Sequence, residues 1–352
     1  MSILYLIEQG TILSKQSNKL VLKKGKNILL SVPSFKVDQV VLFGNIAITP
    51  QAIAFLLKNG IDTVFLTGTG RYRGRLVPEL GKNIELRIAQ FNCLQDREFA
   101  LQLATRYVYG KLKNYRTFLR RQNQILKIDD IQSMIHKIRG IMDKIKHSSD
   151  FDYLRGLEGI GSKYYFQVFG NLIKQEGIVF EGRNRRPPRD PVNAMLSFGY
   201  TLLANTIEGI INCVGLDPYL GSLHSVEYGR PSLTLDIMEE FRPVLIDSLV
   251  LKLLNKKIIT LKNFYVRRDM DEIYEDNKDE SENLTKEDYP VLMTYEGIKK
   301  FLIYYEKQMN NKVFYPRLGS RMTYKDICLA QARLLANSFM EKDILYEPFL
   351  IR

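Results

Sequence analysis

The spacing of apolar residues changes once along this chain, near residue 90, and that change constrains the fold more than any other feature. Before it, short runs rich in Ile, Leu and Val alternate with turn residues such as Gly44-Asn45, a pattern that predicts strands. After it, apolar residues such as Leu101, Val108 and Leu112 recur mostly at helical intervals. The sequence therefore predicts two domains, a small β-rich N-terminal domain and an all-α C-terminal domain.

The bounds of these elements follow from the same pattern. The predicted strands are Ile3–Ile7, Ile12–Ser14, Lys19–Leu22, Asn27–Ser31, Gln39–Phe43, Ile46–Ile48 and Thr63–Leu66. Thr49-Pro50 predicts the start of one helix among them. Later helices are predicted from Asp190-Pro191, from Pro231-Ser232 through Asp236 and Glu239 towards Leu254, and over Thr294–Met309 and Thr323–Met340. We place the β-rich domain at residues 1–80, a linker at 81–90 and the helical catalytic domain at 91–352.

The charge of the chain predicts a polyanionic partner. The net charge is +12, and residues 269–288 hold ten acids and two lysines, a net −8 that leaves +20 on the rest. The acidic run predicts a solvated loop, or a negative flap that keeps DNA off part of the surface. No segment approaches the ~18 uninterrupted apolar residues of a membrane span. No signal peptide is recognisable, and three scattered cysteines indicate reduced thiols, so we expect a cytoplasmic protein without membrane contact.

Two carboxylates on one predicted helix suggest a charged site. Asp236 and Glu239 are three residues apart, a spacing that places both on one helix face. Neighbouring carboxylates repel unless a cation or an arginine such as Arg242 neutralises them. A surface ladder of ion pairs has the same spacing, but the mostly apolar flanks, with Leu235 and Phe241, argue against a solvated face.

Two further residues complete the candidate site. His224 lies in a Gly- and Ser-containing loop between two predicted helices, twelve residues before Asp236. Glu158 lies between apolar residues, with two glycines close by that would let a backbone or substrate approach. Alone, each is as readily explained by a structural role. Together, carboxylates and an imidazole are side chains that can hold a divalent cation.

Two basic segments predict contacts with a phosphate backbone. Arg183, Arg185, Arg186 and Arg189 fall within seven residues that Pro187-Pro188 stiffens, and arginine suits bidentate phosphate contact. The segment Gly68–Gly74 resembles a dinucleotide-binding loop, but its third glycine is one position late and no clear helix follows. With Arg71 and Arg73 in it, a basic hairpin or loop is the better interpretation.

At these residues the sequence resembles the CRISPR-associated spacer-acquisition endonuclease/integrase family, the universal CRISPR adaptation integrase. Three ordered segments carry the resemblance: Leu157-Glu158-Gly159, Leu223-His224, and the stretch from Arg230 to Pro243 that contains Asp236 and Glu239. The stretch from Arg185 to Tyr200 and the Phe65–Leu76 segment extend it over the whole chain.

The resemblance implies roles for named residues. It implies that Glu158, His224 and Glu239 bind Mg²⁺ or Mn²⁺, with Asp236 as a fourth catalytic residue that assists. It implies a homodimer formed through the β-rich domain, and a small ferredoxin-like CRISPR protein bridged by two such dimers. The implied substrates are spacer precursors and the CRISPR repeat, as duplex and branched DNA.

The implied reaction inserts short foreign DNA into the array when a 3′-hydroxyl attacks a phosphodiester, a transesterification that metal ions assist. Hydrolysis by the same site would make the protein an endonuclease. Three alternatives stay open: an integrase of a related mobile element, a structure-selective nuclease of branched DNA in repair, and a non-catalytic DNA-binding scaffold. In the integrase reaction the basic loops and the Lys and Arg residues of the 90–125 helix would bind the DNA backbone. The affinity for DNA should then fall steeply as the salt concentration rises.

Overall fold

The computed structural model describes residues 2–77, 83–184, 187–224, 227–267, 289–341 and 343–351. The acidic run 269–288, Arg185 and Arg186 lie outside the described residues. In the described residues, strands predominate before residue 83 and helices after it, as the sequence predicts.

Eight strands and one α-helix form the N-terminal part over residues 2–77. The strands are β1 (Ile3–Leu6), β2 (Thr11–Gln16), β3 (Lys19–Lys24), β4 (Asn27–Pro33), β5 (Gln39–Phe43), β6 (Ile46–Ile48), β7 (Asp62–Leu66) and β8 (Tyr72–Leu76). They make two four-stranded sheets, ordered β1-β5-β7-β8 and β4-β3-β2-β6. Helix α1 (Pro50–Lys58) starts as predicted, since the Thr49 hydroxyl accepts a bond from the Ala52 amide at 3.3 Å. Fully buried residues such as Leu13, Val40 and Leu56 make the core of this part.

Helices dominate the rest of the chain. They are α2 (Ile84–Gln95), α3 (Arg97–Leu126), α4 (Asp129–Ile145), α5 (Phe151–Phe169), α6 (Pro191–Val214), α7 (Ser232–Met238), α8 (Ser248–Asn255), α9 (Tyr295–Met309) and α10 (Tyr324–Met340). Among the residues that the structure describes there, two short antiparallel ribbons accompany them: β9 (Phe264–Val266) with β10 (Val291–Met293), and β11 (Lys312–Tyr315) with β12 (Ser320–Thr323). The predicted fold class, a β-rich N-terminal part followed by a helical part, is confirmed.

Several details differ from the sequence prediction. Strand β8 was not predicted, and the two ribbons β9–β10 and β11–β12 lie in the part that was predicted to be all-α. Helix α2 begins at Ile84, inside the predicted 81–90 linker, because Asn83 caps it by accepting a hydrogen bond from the Leu86 amide. The helix predicted from Ser232 to Leu254 is broken: α7 ends at Met238, and a π-helical segment, Arg242–Asp247, precedes α8. Pro243 explains the break, because it lacks an N–H and its ring clashes with the carbonyl four residues earlier.

The chain divides into two compact units, and each draws on three segments. Unit 1 contains residues 1–106, 201–238 and 309–348, and unit 2 contains residues 107–200, 239–308 and 349–352. Within the part of the chain that the structure describes, one helix, α6, is long and apolar enough to cross a membrane, but 78% of its apolar window is buried inside the protein. A buried core helix has the same composition, so this helix is weak evidence for membrane insertion.

Candidate active site

Two of the predicted site carboxylates meet on one lysine in unit 2. Glu158 lies on α5, and its carboxylate accepts hydrogen bonds from Lys111 of α3 and from the Ser162 hydroxyl, the latter at 2.9 Å. The Lys111 ammonium also lies 2.7 Å from Glu239 Oε2. Lys111 is only 1% exposed. We call Lys111, Glu158, Glu239 and Arg242 the Lys111 cluster.

A break in the helix positions Glu239. It follows the last residue of α7, and its carboxylate is 2% exposed. Asn114 of α3 donates hydrogen bonds at 2.8 Å to the carbonyls of Glu240 and Phe349, which fastens the turn beside Glu239 to α3. The prediction that Asp236 and Glu239 share one helix face is therefore wrong, since Glu239 lies beyond the helix end.

Arginine and tyrosine side chains surround the other side of Glu239. The Arg242 guanidinium forms an ion pair with Glu239 Oε1 at 3.0 Å, and it lies 4.9 Å from the centre of the Tyr200 ring. Arg183 lies 5.5 Å from the same ring and donates to the Asn193 side chain of α6 at 2.7 Å. These contacts hold both guanidinium groups in place.

A cavity of about 450 Å³ adjoins the Lys111 cluster within unit 2. Aromatic rings and basic side chains both line it. Its lining includes Lys111, Tyr115, Glu158, Lys163, Phe166 and Arg183. The candidate carboxylate Glu158 thus stands at the wall of a space that can admit a small part of a substrate.

The environment of Glu158 favours its ionised form. Burial raises the pKa of this carboxyl, but the Lys111 ammonium and the hydrogen bonds from Lys111 and Ser162 lower it more. The pKa of Glu158 therefore lies below its ordinary value. A carboxylate that stays ionised is what cation binding requires.

A further buried carboxylate lies deeper in unit 2. Asp247 accepts a hydrogen bond from the Tyr200 hydroxyl at 2.6 Å. Burial raises the pKa of Asp247 to about 6, although the hydrogen bond from Tyr200 and the charge of Arg242 oppose the rise. No sequence signal marks this residue, because it falls among apolar residues of the helix predicted towards Leu254.

In unit 1, Asp236 orients the loop that carries His224. Its Oδ1 accepts bonds from the His224 amide at 3.0 Å and from His224 Nδ1 at 2.7 Å. Its Oδ2 accepts bonds from the amides of Ser222 at 2.7 Å and Leu223 at 3.0 Å. Gly221 permits this packing, because a Cβ there would lie 2.8 Å from Asp236 Oδ2.

The hydrogen bond between His224 and Asp236 defines the tautomer of the imidazole. A carboxylate only accepts hydrogen bonds, so His224 Nδ1 carries the proton in this pair. In the neutral ring the lone pair is then on Nε2, the arrangement found in histidines that bind metal with a carboxylate behind them. Among the described residues, no group of three or more His, Cys, Asp or Glu side chains lies together as a preformed metal site.

The predicted DNA-binding residues have different surroundings. Arg71 and Arg73 are exposed on the hairpin of β7 and β8, which confirms the hairpin interpretation of the glycine-rich segment. Arg189 is exposed, whereas Arg183 is half-buried against α6. Lys111 was predicted to lie on a solvent face of the 90–125 helix with the other basic residues. The structure instead buries it. Its spacing from Val108 and Tyr115, three and four residues, is the signal that could have placed it inside.

Arg75 is not a surface residue of that hairpin. Its side chain is 3% exposed and lies 3.0 Å from Asp62 Oδ1, and it also pairs with Glu208 and donates to the Asn205 carbonyl. We call Arg75, Asp62 and Glu208 the Arg75 cluster. It ties β7 and β8 to α6 inside unit 1.

Comparison with known proteins decides the family. A family model described as CRISPR associated protein Cas1 matches residues 4–285. The chain belongs to the Cas1 family. The CRISPR-associated endonuclease Cas1 3 of Thermus thermophilus is 37% identical over 352 residues, which cover 99% of this Cas1 chain and 97% of the relative. The CRISPR-associated endonuclease Cas1 1 of Chlorobaculum tepidum is 31% identical, with 99% and 98% covered.

Solved structures share the fold of this Cas1 chain. A Cas1 protein from Thermotoga maritima aligns with a TM-score of 0.79 at 24% identity, covering 97% of each chain. A casposase bound to an integration product aligns with a TM-score of 0.80 at 22% identity, covering 99% of this chain and 93% of the casposase. At these identities the likeness establishes the fold.

Proposed function

We propose that this protein is a metal-dependent DNA endonuclease and integrase of CRISPR adaptation, which joins short foreign DNA to the CRISPR array. The observation that carries the proposal is the meeting of Glu158 and Glu239 on one buried cation, Lys111. A position where two carboxylates already surround a positive charge has the donor chemistry that a divalent cation needs. The names of the curated relatives, CRISPR-associated endonucleases, support the activity.

Glu158, Glu239 and His224 would hold the ion, and the imidazole would contribute Nε2. Asp236 would not coordinate directly, because its two oxygens already accept four hydrogen bonds from the loop and from His224. Carboxylate oxygens suit Mg²⁺ and an imidazole suits Mn²⁺, so both ions should serve. When bound, such an ion polarises the phosphoryl oxygen and stabilises the attacking and leaving oxygens.

Other residues of the chain would orient the metal ligands and bind the DNA. Asp236 would keep the His224 ring in the correct tautomer, and Arg242 would hold the Glu239 carboxylate in its present orientation. Arg183, which lines the cavity beside Glu158, would bind phosphates near the reacting strand. Water or a DNA 3′-hydroxyl would be the nucleophile, so no covalent protein–DNA intermediate forms.

A strand-transfer assay tests this function. A short duplex with 3′-hydroxyl ends is mixed with a supercoiled plasmid that holds a repeat, in Mn²⁺, Mg²⁺ or EDTA. We expect metal-dependent joining that His224→Ala and Glu158→Ala abolish, while His136→Ala, which removes an exposed imidazole of α4, keeps it. Cleavage without joining would favour the repair nuclease. Salt-sensitive DNA binding without either activity would favour the scaffold.

A homodimer through the β-rich part is the second component of the proposal. Ile12, Lys23 and Ile28 are register neighbours across β2, β3 and β4, and the two isoleucines are 46% and 57% exposed. Leu29 and Phe35 add exposed apolar surface, and β4 is an edge strand. Clustered exposed apolar side chains favour a protein interface. Light scattering should give a dimer for the native chain, and Ile28→Lys combined with Phe35→Ser should give a monomer.

We also propose a small ferredoxin-like partner and a cytoplasmic location. One neighbour by fold, 22% identical with a TM-score of 0.82, was solved in a Cas6-RT-Cas1–Cas2 complex, which supports a partnership of this kind. Co-purification of this chain with the small CRISPR protein of its own locus, followed by the strand-transfer assay with and without it, tests the partnership.

A further inference from the structure

The two cations beside Glu239 differ in how firmly they are held. Arg242 lies at 3.0 Å from Glu239 Oε1 and packs on the Tyr200 ring, so its planar group has two fixed contacts. Lys111 reaches the carboxylates with a single ammonium at the end of a flexible four-carbon stem. Of the two, Lys111 can leave Glu239 by rotation of its side chain.

The charge of the cluster balances without any added ion. Glu158 and Glu239 carry two negative charges, and Lys111 and Arg242 carry two positive charges. A divalent cation bound to both carboxylates would add two more positive charges within a few ångströms of the ammonium. Such repulsion is strong where water is largely excluded. Lys111 and a divalent cation are therefore expected to exclude each other from this position.

The structure also provides a place for the displaced ammonium. Lys111 lines the cavity of about 450 Å³, and the Tyr115 ring, which also lines it, lies 5.6 Å from the Lys111 ammonium. An ammonium that turns away from the carboxylates can stay on the aromatic face and reach solvent in the cavity.

We propose that Lys111 is the exchangeable counter-ion of this site: its ammonium neutralises Glu158 and Glu239 in the metal-free protein and withdraws into the adjoining cavity when a divalent cation binds. This inference rests on the proposed metal-dependent function. It assigns Lys111 a positioning role in which it preserves two close carboxylates until the ion arrives and competes with the ion for them.

Calorimetric titration of the full chain with Mn²⁺ tests the competition. Lys111→Met keeps the stem and removes the charge, so we expect Mn²⁺ to bind about tenfold tighter or more than to the native chain. The Tm of this variant in EDTA should fall, and saturating Mn²⁺ should raise it by more than it raises the native Tm. Lys163→Met is the matched control, because it removes an exposed charge from the same cavity, and its Mn²⁺ affinity should stay within about twofold.

A measurement on the native chain covers the case in which Lys111→Met does not fold. Reductive methylation followed by peptide mass spectrometry should leave Lys111 protected in EDTA and label it in Mn²⁺, while Lys163 labels equally in both. Unchanged or weaker Mn²⁺ binding by Lys111→Met, or equal protection of Lys111 in both conditions, would overturn the inference. Failure of the native chain to bind Mn²⁺ at all would instead overturn the metal-dependent function.

Discussion

In the Lys111 cluster and in the Arg75 cluster, two carboxylates share one buried cation, Lys111 and Arg75 respectively, yet the surroundings of these two cations differ. Arg75 is locked by contacts to Asp62, Glu208 and a backbone carbonyl, and a Cβ at Gly209 would lie 2.8 Å from Asp62 Oδ2. Lys111 has a flexible stem and lines a cavity, and Glu158 keeps 24% of its side chain exposed.

The pKa directions of the carboxylates differ in the same way. Burial raises the pKa of Asp62 and of Glu208, and the charge of Arg75 does not reverse the rise. At Glu158 the charge of Lys111 overcomes burial and the pKa is lowered. A buried ion pair by itself therefore does not indicate a functional site. What distinguishes the Lys111 cluster as a candidate functional site is the cavity beside Glu158, together with the proposed displacement of Lys111 by a divalent cation.

Removal of Arg75 should give the largest change in stability. Arg75→Leu leaves Asp62 and Glu208 buried without their guanidinium partner, and breaking a buried pair in this way costs about 3–5 kcal/mol. Urea unfolding should show that loss, while Mn²⁺-dependent strand transfer per folded molecule stays close to native. If Arg75→Leu abolished strand transfer in protein that is still folded, the contrast between a structural and a functional cluster would fail.

Asp247 offers a pH-dependent comparison within unit 2. Its pKa is raised to about 6 from 3.8, so the folded protein binds more protons than the unfolded chain between these values. Its contribution to stability is thus present below about pH 4 and is lost as the pH rises through about 6. Asp247→Asn removes this loss.

Urea unfolding at pH 4 and pH 8 checks the pH effect. The free energy of unfolding of Asp247→Asn, relative to that of the native chain, should be up to about 3 kcal/mol higher at pH 8 than at pH 4. Asp152→Asn is the control, since that side chain is 92% exposed. Its free energy of unfolding relative to the native chain should change by less than about 0.5 kcal/mol between pH 4 and pH 8. A native-like pH profile for Asp247→Asn would mean that its carboxyl is not the group that burial perturbs.

Asp236→Asn should separate orientation from ligation. The amide has one acceptor oxygen where the carboxylate has two, so the loop and the His224 ring lose part of their support. Loss of such a supporting carboxylate typically lowers metal affinity or activity about 10- to 100-fold. Titration with Mn²⁺ and the strand-transfer assay measure it. Asp217→Asn is a control from the same connection between α6 and α7, since the Asp217 carboxylate accepts a hydrogen bond from the Tyr219 amide and not from His224. If Asp236→Asn lost Mn²⁺ binding and strand transfer as completely as Glu239→Gln, Asp236 would be a direct ligand.

The exposed hairpin should give the smallest effect. Arg71→Ala should weaken DNA binding modestly and lower the slope of log affinity against log salt by about 0.9 if the guanidinium contacts one phosphate. Lys26→Ala, an exposed charge in the β3–β4 turn, serves as the control of equal charge. Equal slopes for Arg71→Ala and the native chain would remove this hairpin from the DNA surface.

Local sequence signals were sufficient for most elements. Seven strands, the Thr49 cap of α1 and the helices from Pro191, Thr294 and Thr323 follow from periodicity and capping residues, which act over a few neighbours. The broken helix after Asp236 was missed, although Pro243 was visible, because the apolar spacing continued across it. Lys111 was missed because its charge suggested solvent, and only its partners on α5 and beyond α7 explain its burial.

The sequence by itself determined the order of strands and helices, the family resemblance and the identity of Glu158, His224, Asp236 and Glu239 as candidate residues. These depend on residue type and spacing along the chain. The tertiary structure decided that Glu158 and Glu239 share Lys111, that Asp236 is occupied by the His224 loop, and that Arg75 belongs to the interior. Those facts depend on contacts between residues 12 (His224 and Asp236) to 133 (Arg75 and Glu208) positions apart, for which no local pattern exists. They also depend on burial, which decides whether a charge is solvated or must find a partner.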